Sequence, residues 1–142
     1  MRLDATLVAY CGLTVFALLR FVDWAAPVPL PGGACRVGYV YDGDSVELIC
    51  PERTETARLI GLDTPELKGA CAAETAAAGA AKAALTAAVR RAQRVEIGIE
   101  GRDRYDRPLV HLVLDGTDAA DVMLKAGHGR PYDGGAREGW CD

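Results

Sequence analysis

The sequence lacks several features that would assign it to a common class of protein. It has no excess of positive charge, because 16 lysines and arginines stand against 20 aspartates and glutamates and the formal net charge is -4. Proteins that bind nucleic acid through their overall charge usually carry a basic footprint, so phosphate binding would depend on locally placed arginines. There is no CxxC pair, and His111 and His128 are far from zinc-ligand spacing, which argues against a zinc site. The 142 residues suffice for one compact domain and hardly for two.

Charge is also absent from residues 5–19, ATLVAYCGLTVFALL. Fifteen residues suit the core of a secretory signal better than a membrane span of about 20, although a tilted span or a buried helix is also compatible with this length. No clean cleavage site follows, so residues 1–24 are predicted to be a signal peptide or a membrane anchor that attaches the chain through residues 5–22. Residues 25–34 have the Pro/Gly-rich composition of a linker, and residues 35–142 are expected to form the folded domain.

Four cysteines lie outside the apolar segment: Cys35, Cys50, Cys71 and Cys141. If Asp42 and Gly43 are the two loop residues of a hairpin, facing positions sum to 85, as Cys35 and Cys50 do. Facing Cα atoms lie about 4.5–5.5 Å apart, within the reach of a disulfide, and elimination then pairs Cys71 with Cys141. Four separate thiols are the alternative. Paired cysteines indicate an oxidising compartment, so an exported protein, periplasmic or secreted, is expected.

Hydrophobic periodicity from residue 35 onward predicts five strands and two helices. CRVGYVY and SVELIC form a hairpin around Asp-Gly, ETARLIGL is a third strand, and RVEIGIE and PLVHLVL are the fourth and fifth. An alanine-rich helix covers residues 71–93, with Leu85 and Val89 on its apolar stripe, and a short helix runs from Asp118 to Gly127. This order fits a small closed barrel of the oligonucleotide-binding (OB) type and equally an open sheet.

An aspartate follows the hairpin turn at a position that faces inward. Residues 37, 39 and 41 are expected on the same face as residues 44, 46 and 48, and Asp44 is the only acid among them. A carboxylate there is costly to desolvate unless a cation or a donor compensates it. Asp42 lies in the turn itself, where aspartate is common, and this favours a structural role for it.

A second acidic group ends the third strand, in the segment ARLIGLDTPE. Pro65 stops the strand and frees the carbonyl of Thr64 from ladder pairing. Carboxylates and a carbonyl are hard oxygen ligands, suited to calcium or magnesium. Arg58 and Asp63 would face opposite ways in a regular strand, but a bulge at Gly61 would bring both to one side. An ordinary strand end is the alternative interpretation of this segment alone.

A third segment, GRDRYDRPLVHLVLDG, places Arg107 directly before a strand and after a charged loop. A planar guanidinium at this position could bind two phosphate oxygens at once. On its own, such a loop is more often only a solvated one.

Together the three segments resemble the staphylococcal nuclease-like, or thermonuclease, family of phosphodiesterases. The resemblance runs from about residue 39 to residue 132 and includes the family's gaps of 14 residues from Asp44 to Arg58 and five from there to Asp63. It implies a five-stranded OB-fold β-barrel with flanking helices, and calcium-dependent cleavage of DNA, RNA or both. A non-catalytic OB-fold module that binds nucleic acid is the alternative, although no charged site residue of the family is lost.

The resemblance also implies roles for single residues. Asp44 and Asp63 would bind Ca²⁺ through their carboxylates and Thr64 through its carbonyl, with Asp42 in a supporting role. Glu66 matches the glutamate that activates or orients the attacking water.

Positive and aromatic residues complete the implied site. Arg58 and Arg107 match the pair that clamps the scissile phosphate, and Arg104 and Tyr105 match a pair that contacts a neighbouring phosphate. Tyr132 is only approximately in register with an aromatic residue that stacks on the base. From these roles, the chain is expected to be a hydrolase that acts on nucleic acid. It is expected to be a monomer.

Three positions depart from the family pattern. Ser45 replaces the usual threonine, and Asp106 stands where glycine normally precedes the catalytic arginine. If that position requires positive φ, aspartate is among the few residues that tolerate it. Pro108 restricts Arg107 to extended geometry, which either presets or misplaces its side chain.

Overall fold

The computed structural model describes residues 35–141. The predicted signal or anchor, the linker and Cys11 all lie outside the described residues. Within residues 35–141, no helix combines the length and the apolar character needed to cross a membrane.

Eight strands and two helices make up this part of the chain. The hairpin consists of β1 (Arg36–Val40) and β2 (Ser45–Ile49), and the third predicted strand is divided into β3 (Thr54–Leu59) and β4 (Gly61–Asp63). The long helix α1 spans Ala72–Arg91. After it come β5 (Val95–Arg102), β6 (Pro108–Leu114), β7 (Thr117–Asp118), α2 (Ala119–Lys125) and β8 (Arg130–Tyr132). The five predicted strands and both predicted helices are therefore present.

The strands form a mixed sheet in the order β1-β2-β3-β6-β5, with β7 added to β6, and β4 pairs separately with β8. All neighbours are antiparallel except β3 and β6, which are parallel. Among the described residues, β1 and β5 are the two edges of the main sheet and do not pair with each other. The structure thus has the predicted strands and helices but does not show the closed barrel.

The hairpin corrects one expectation about side-chain facing. At its base the residues pair with the predicted sum of 85, as Val37 does with Leu48, but nearer the tip Val40 pairs with Val46. This shift is a β-bulge, which moves Val40 into the core and leaves Tyr39 56% exposed. The prediction that Tyr39 faces inward was therefore wrong, and the turn is longer than the two residues expected.

Both helices pack as their sequences predict. In α1, Leu85 is fully buried against the sheet and Val89 packs at the edge of the core. Asp118 is the N-cap of helix α2, and its side chain accepts a hydrogen bond from the amide of Ala120. The helix ends before Gly127, which has φ +73°. The core between the sheet and the helices is aliphatic: Val46, Leu48, Leu59, Leu62, Leu85, Val110, Leu112 and Met123 are all at most 2% exposed.

Two disulfides join the pairs that the sequence predicted. Cys35 and Cys50 close the base of the hairpin, with Cα atoms 4.2 Å apart. Cys71, the residue before α1, joins Cys141 near the C-terminus, with Cα atoms 6.1 Å apart. The second bond ties the segment after β8 to the start of the long helix.

Candidate active site

Two buried aspartates meet around one arginine. Asp44, at the hairpin tip, is 3% exposed, and Asp63, at the end of β4, is 1% exposed. Arg58 on β3 donates from Nη1 to Asp44 Oδ1 at 3.1 Å, and its Nη2 lies 3.8 Å from Asp63 Oδ1. A break in the chain direction at the predicted position makes this possible, because Ile60 separates β3 from β4 and Gly61, the first residue of β4, has φ +79°. Arg58 and Asp63 consequently reach the same side.

The hairpin tip approaches the rest of the molecule very closely. A Cβ added at Gly43 would lie 2.7 Å from the Cβ of Ala81 on α1 and 2.8 Å from the side chain of Thr64. Asp42 closes the turn, since its Oδ1 accepts a hydrogen bond from the amide of Asp44 at 3.0 Å. A small residue at position 43 and an aspartate at position 42 therefore set the depth at which Asp44 enters the site.

The charge on Asp44 is only partly compensated. Burial raises the pKa of Asp44 to about 6, against the lowering effect of the positive charge of Arg58, and the nearby Asp42 raises it further. Its other oxygen accepts a hydrogen bond from the amide of Thr64 at 3.3 Å. A buried carboxylate with a raised pKa is a group that an additional cation would stabilise in its charged form.

The loop after β4 carries the next two predicted residues. Thr64 is buried, and Glu66 keeps 51% of its side-chain surface exposed. Glu74, in the first turn of α1, fixes this loop because it accepts hydrogen bonds from the amides of Glu66 at 3.3 Å and Ala70 at 2.7 Å. A Cβ at Gly69 would collide with the Glu74 side chain. Sequence reasoning missed Glu74, whose only signal is an acid among the alanines of the first helical turn.

Arg107 is held by an acid that sequence reasoning also missed. Asp103 accepts from the Arg107 backbone amide at 2.9 Å and from its Nε at 2.7 Å. Burial acts to raise the pKa of Asp103, but its hydrogen bonds to Arg107 outweigh this and hold the pKa below its ordinary value. Asp106 has φ +63°, so the position where the family has glycine is left-handed here, and aspartate is among the few residues that tolerate this conformation. The spacing of four residues between Asp103 and Arg107 is the signal that could have revealed the pair.

The predicted substrate-contact residues lie beside these groups. Arg104 stacks over Tyr105, with its guanidinium carbon 4.8 Å from the ring centre, and Tyr105 is 66% exposed. Tyr132 in β8 lies under Arg58, 5.5 Å from ring centre to guanidinium carbon. One continuous cleft surface brings the groups together: Arg58, Asp103, Arg104, Tyr105, Arg107, Tyr132 and Arg137.

A neighbouring depression contains three of the predicted acids, Asp42, Asp44 and Glu66. It is lined by Asp42, Asp44, Ser45, Arg58, Glu66, Tyr105, Arg107 and Arg137. Four segments distant in sequence therefore supply one site: the hairpin tip, residues 58–66, the loop before β6 and the segment after β8.

Two further arginines, both missed from the sequence, reach the buried acid of β4. Arg130 donates from Nε to Asp63 Oδ2 at 3.1 Å, across the β4-β8 pair. Arg137 donates to Asp63 Oδ1, to Glu66 Oε1 and to the carbonyl of Thr64. Partial burial acts to lower the pKa of Arg137, but its hydrogen bonds to Glu66 and Asp63 outweigh it, so the pKa lies above its ordinary value. The sequence shows Arg137 only as one charge in a glycine-rich tail.

The family model described as staphylococcal nuclease homologue matches residues 56–137, more than half of the chain. The chain belongs to the staphylococcal nuclease family. The matched range contains Arg58, Asp63, Thr64, Glu66 and Arg107, and Asp44 is brought to them from the hairpin that precedes it. No curated protein was found to match the sequence.

The donor atoms at the staphylococcal nuclease-type site suit a hard cation. Carboxylates of Asp44 and Asp63 and the carbonyl of Thr64 supply oxygen only, as Ca²⁺ prefers. The two acids are desolvated, and in their present arrangement arginine guanidinium groups compensate them. These observations fit a site that requires positive charge, and its residues could hold calcium.

A different cluster does not fit a metal. Within residues 35–141, one group of three cysteine, histidine or acidic side chains lies close enough together to share an ion. It consists of Cys71, Glu74 and Cys141. Its two cysteines are joined in a disulfide, so they have no thiolate to offer.

Proposed function

We propose that this protein is a calcium-dependent nuclease that hydrolyses phosphodiester bonds in DNA, RNA or both. The observation that carries the proposal is the convergence of Asp44, Arg58, Glu66 and Arg107 on one cleft from three separate segments. Asp63 is buried beside this cleft and is linked to it by Arg58. Membership of the staphylococcal nuclease family supports a hydrolase that acts on nucleic acid. We further propose that the sheet is the OB-fold of this family.

The acids and the carbonyl account for the cation. Asp44, Asp63 and the carbonyl of Thr64 would hold Ca²⁺, and Asp42 would support Asp44 through the turn. A bound divalent ion would neutralise charge on the phosphate and polarise it towards attack. The remaining catalytic roles are proposed for side chains of this protein.

Glu66 is suited to accept a proton from the attacking water. Its carboxylate is half exposed at the cleft, where water has access, and its backbone is fixed by Glu74. A positioned carboxylate that removes a proton in the transition state contributes a factor of about 10² to 10⁴ in rate.

Arg58 and Arg107 are suited to stabilise the pentacoordinate phosphate. Arg58 is aligned by Asp44 and by the carbonyl of Leu62, at 3.2 Å, and Arg107 is aligned by Asp103. Guanidinium groups held in place before the reaction stabilise developing negative charge without reorganisation. Next to them, Arg104 and Tyr105 would contact an adjacent phosphate, and Tyr132 would contact a base.

The test is hydrolysis of DNA and of RNA by the purified protein with Ca²⁺, before and after addition of a chelator. Cleavage should stop with the chelator and return with excess Ca²⁺. Glu66→Gln should lower the rate by about 10² to 10⁴-fold, whereas the control Glu96→Gln, an exposed glutamate on β5, should not. Cleavage that persists in the chelator, or a Glu66→Gln variant as active as Glu96→Gln, would reject the proposal.

A binding module without catalysis is the second candidate function, favoured by the exposed basic-aromatic pair Arg104 and Tyr105. It predicts retention of an intact oligonucleotide at every Ca²⁺ concentration, with affinity that falls as salt rises. The same assay separates the two, because only the nuclease yields shortened products.

Export and a monomeric state complete the proposal. The two disulfides support an oxidising, extracytoplasmic location. This export would take one of two forms. The chain would stay attached to a membrane through residues 5–22, or it would be released by cleavage of residues 1–24. Fractionation of cells and the mass of the mature chain distinguish them.

A further inference from the structure

The segment after β8, residues 133–141, crosses the proposed metal site. We call it the C-terminal tail. It contains no helix or strand, and the disulfide from Cys141 to Cys71 fixes its end. Between β8 and this bond, the tail places Arg137 over the loop that follows β4.

Arg137 contacts the same oxygen atoms that the proposed function assigns to the cation and the water. It donates from Nε to Asp63 Oδ1 at 2.5 Å and from Nη2 to the carbonyl of Thr64 at 3.2 Å. Its Nη1 lies 2.5 Å from Glu66 Oε1. An ion bound by Asp63 and Thr64 would need these two oxygens, so the guanidinium and the ion cannot both use them.

The contact is removable, in contrast to that of Arg58. The Arg137 side chain retains 34% of its accessible surface, whereas that of Arg58 retains 10% and is enclosed between two strands and two acids. Arg58 lies in a strand that is paired on both sides, but Arg137 lies in a tail held by side-chain contacts and one disulfide. Rotation of the Arg137 side chain would free the oxygens without breaking the sheet.

We propose that Arg137 is an intramolecular competitor of the divalent cation: its guanidinium holds Asp63, Glu66 and the Thr64 carbonyl until the ion displaces it. This inference rests on the proposed function, because it takes the metal site from there. The Cys71–Cys141 disulfide keeps the competitor near the site, at an effective concentration in the millimolar range that is typical of short tethers. The apparent affinity for the ion is reduced by the fraction of molecules in which Arg137 occupies the site.

The test is calorimetric titration of the full chain with Ca²⁺, which does not depend on catalysis. Arg137→Gln should bind Ca²⁺ at least tenfold more tightly than the parent protein. Arg91→Gln is the matched control, because it removes one positive charge from an exposed helix position whose side chain donates a hydrogen bond to the carbonyl of Ala87. It should change the affinity less than twofold. An Arg137→Gln variant that binds no more tightly than Arg91→Gln overturns the inference.

The disulfide provides an independent arm. The double variant Cys71→Ser/Cys141→Ser releases the end of the tail and should raise the Ca²⁺ affinity towards that of Arg137→Gln, provided that circular dichroism shows the folded spectrum. Adding Arg137→Gln to it should give little further gain, since both changes act on the same competitor. Full additivity of the two effects contradicts the inference.

Failure of the proposed function is distinguishable from failure of this inference. If Ca²⁺ binds and Asp63→Asn abolishes the binding, the site stands, and the Arg137 comparison alone decides whether the tail competes. If no protein binds Ca²⁺ at millimolar concentration, the metal site of the proposed function is rejected and the competitor with it.

Discussion

Asp63 is contacted by arginines from two regions of the molecule that are built differently. Arg58 comes from β3, whose neighbours β2 and β6 fix its backbone on both sides. Arg137 comes from the C-terminal tail, which has no ladder hydrogen bonds and depends on the Cys71–Cys141 bond. The Asp63 carboxylate therefore contacts an arginine held by the sheet, Arg58, and an arginine held by the covalently tethered tail, Arg137. The first is suited to a permanent role and the second to one that ends when another cation arrives.

The largest expected effect breaks the strand-held contact. Arg58→Gln should lower the nuclease rate by about 10² to 10³-fold, as loss of one preorganised charge stabiliser does. It should also cost about 3 to 5 kcal/mol of unfolding free energy, because Asp44 remains buried without its arginine partner. Rate measurement and urea denaturation check the two effects.

Arg53→Gln is the control for this prediction, because Arg53 lies just before β3 with 62% of its side-chain surface exposed. It should leave both the rate and the stability almost unchanged. If Arg58→Gln and Arg137→Gln slow the enzyme equally, the distinction between the two regions is wrong.

The same contrast explains how much the sequence could predict. Asp44, Arg58 and Asp63 lie in or beside strands, so period-two alternation and the glycine at position 61 sufficed to place them on one side. The hairpin bulge was missed, because the insertion of one residue into the ladder leaves no clear mark in VGYVY. Arg137 could not be placed, since its position follows from a disulfide that closes 70 residues of sequence and from contacts made only in the folded state. The periodicity of side chains in the sequence predicts local strand structure, but it does not predict where the tail lies.

The next prediction compares the two disulfides. Replacing Cys71 and Cys141 by serine should cost between about 3 and 4.7 kcal/mol of unfolding free energy, and replacing Cys35 and Cys50 about 3 kcal/mol, because the closed segments span 70 and 15 residues. Denaturant unfolding of both double variants measures the difference. A smaller loss from the tail bond than from the hairpin bond would contradict the entropic account of how the tail is held.

The next variant tests whether Arg107 is held by a strand, as Arg58 is, or mainly by side-chain contacts, as Arg137 is. It precedes β6 but is held by Asp103, which accepts from both its backbone and its side chain. Asp103→Asn keeps the shape but weakens a charge-assisted pair, so the turnover rate should fall about 10- to 100-fold. The substrate KM should change less than kcat, because Asp103 aligns a group that acts in the transition state.

Asp103→Glu should restore part of that rate, whereas a merely structural role would show no such recovery. Equal losses in Asp103→Asn and Asp103→Glu, accompanied by a lowered melting temperature, would mean that Asp103 only supports the loop.

The smallest effect is expected from adding a single methyl group at the hairpin tip. This change tests how tightly the tip packs against α1. Gly43→Ala would place a Cβ 2.7 Å from that of Ala81, and overpacking of this kind costs about 1 to 3 kcal/mol. Gly79→Ala is the matched control on the exposed face of α1, where an added Cβ meets nothing within 4 Å, and it should stabilise the protein by about 0.5 to 1 kcal/mol. Because Gly43 sets the depth of Asp44, the first variant should also weaken Ca²⁺ binding, and the second should not. Opposite signs in stability together with a loss of affinity only in Gly43→Ala would show that the hairpin tip is positioned by close contact as well as by its strands.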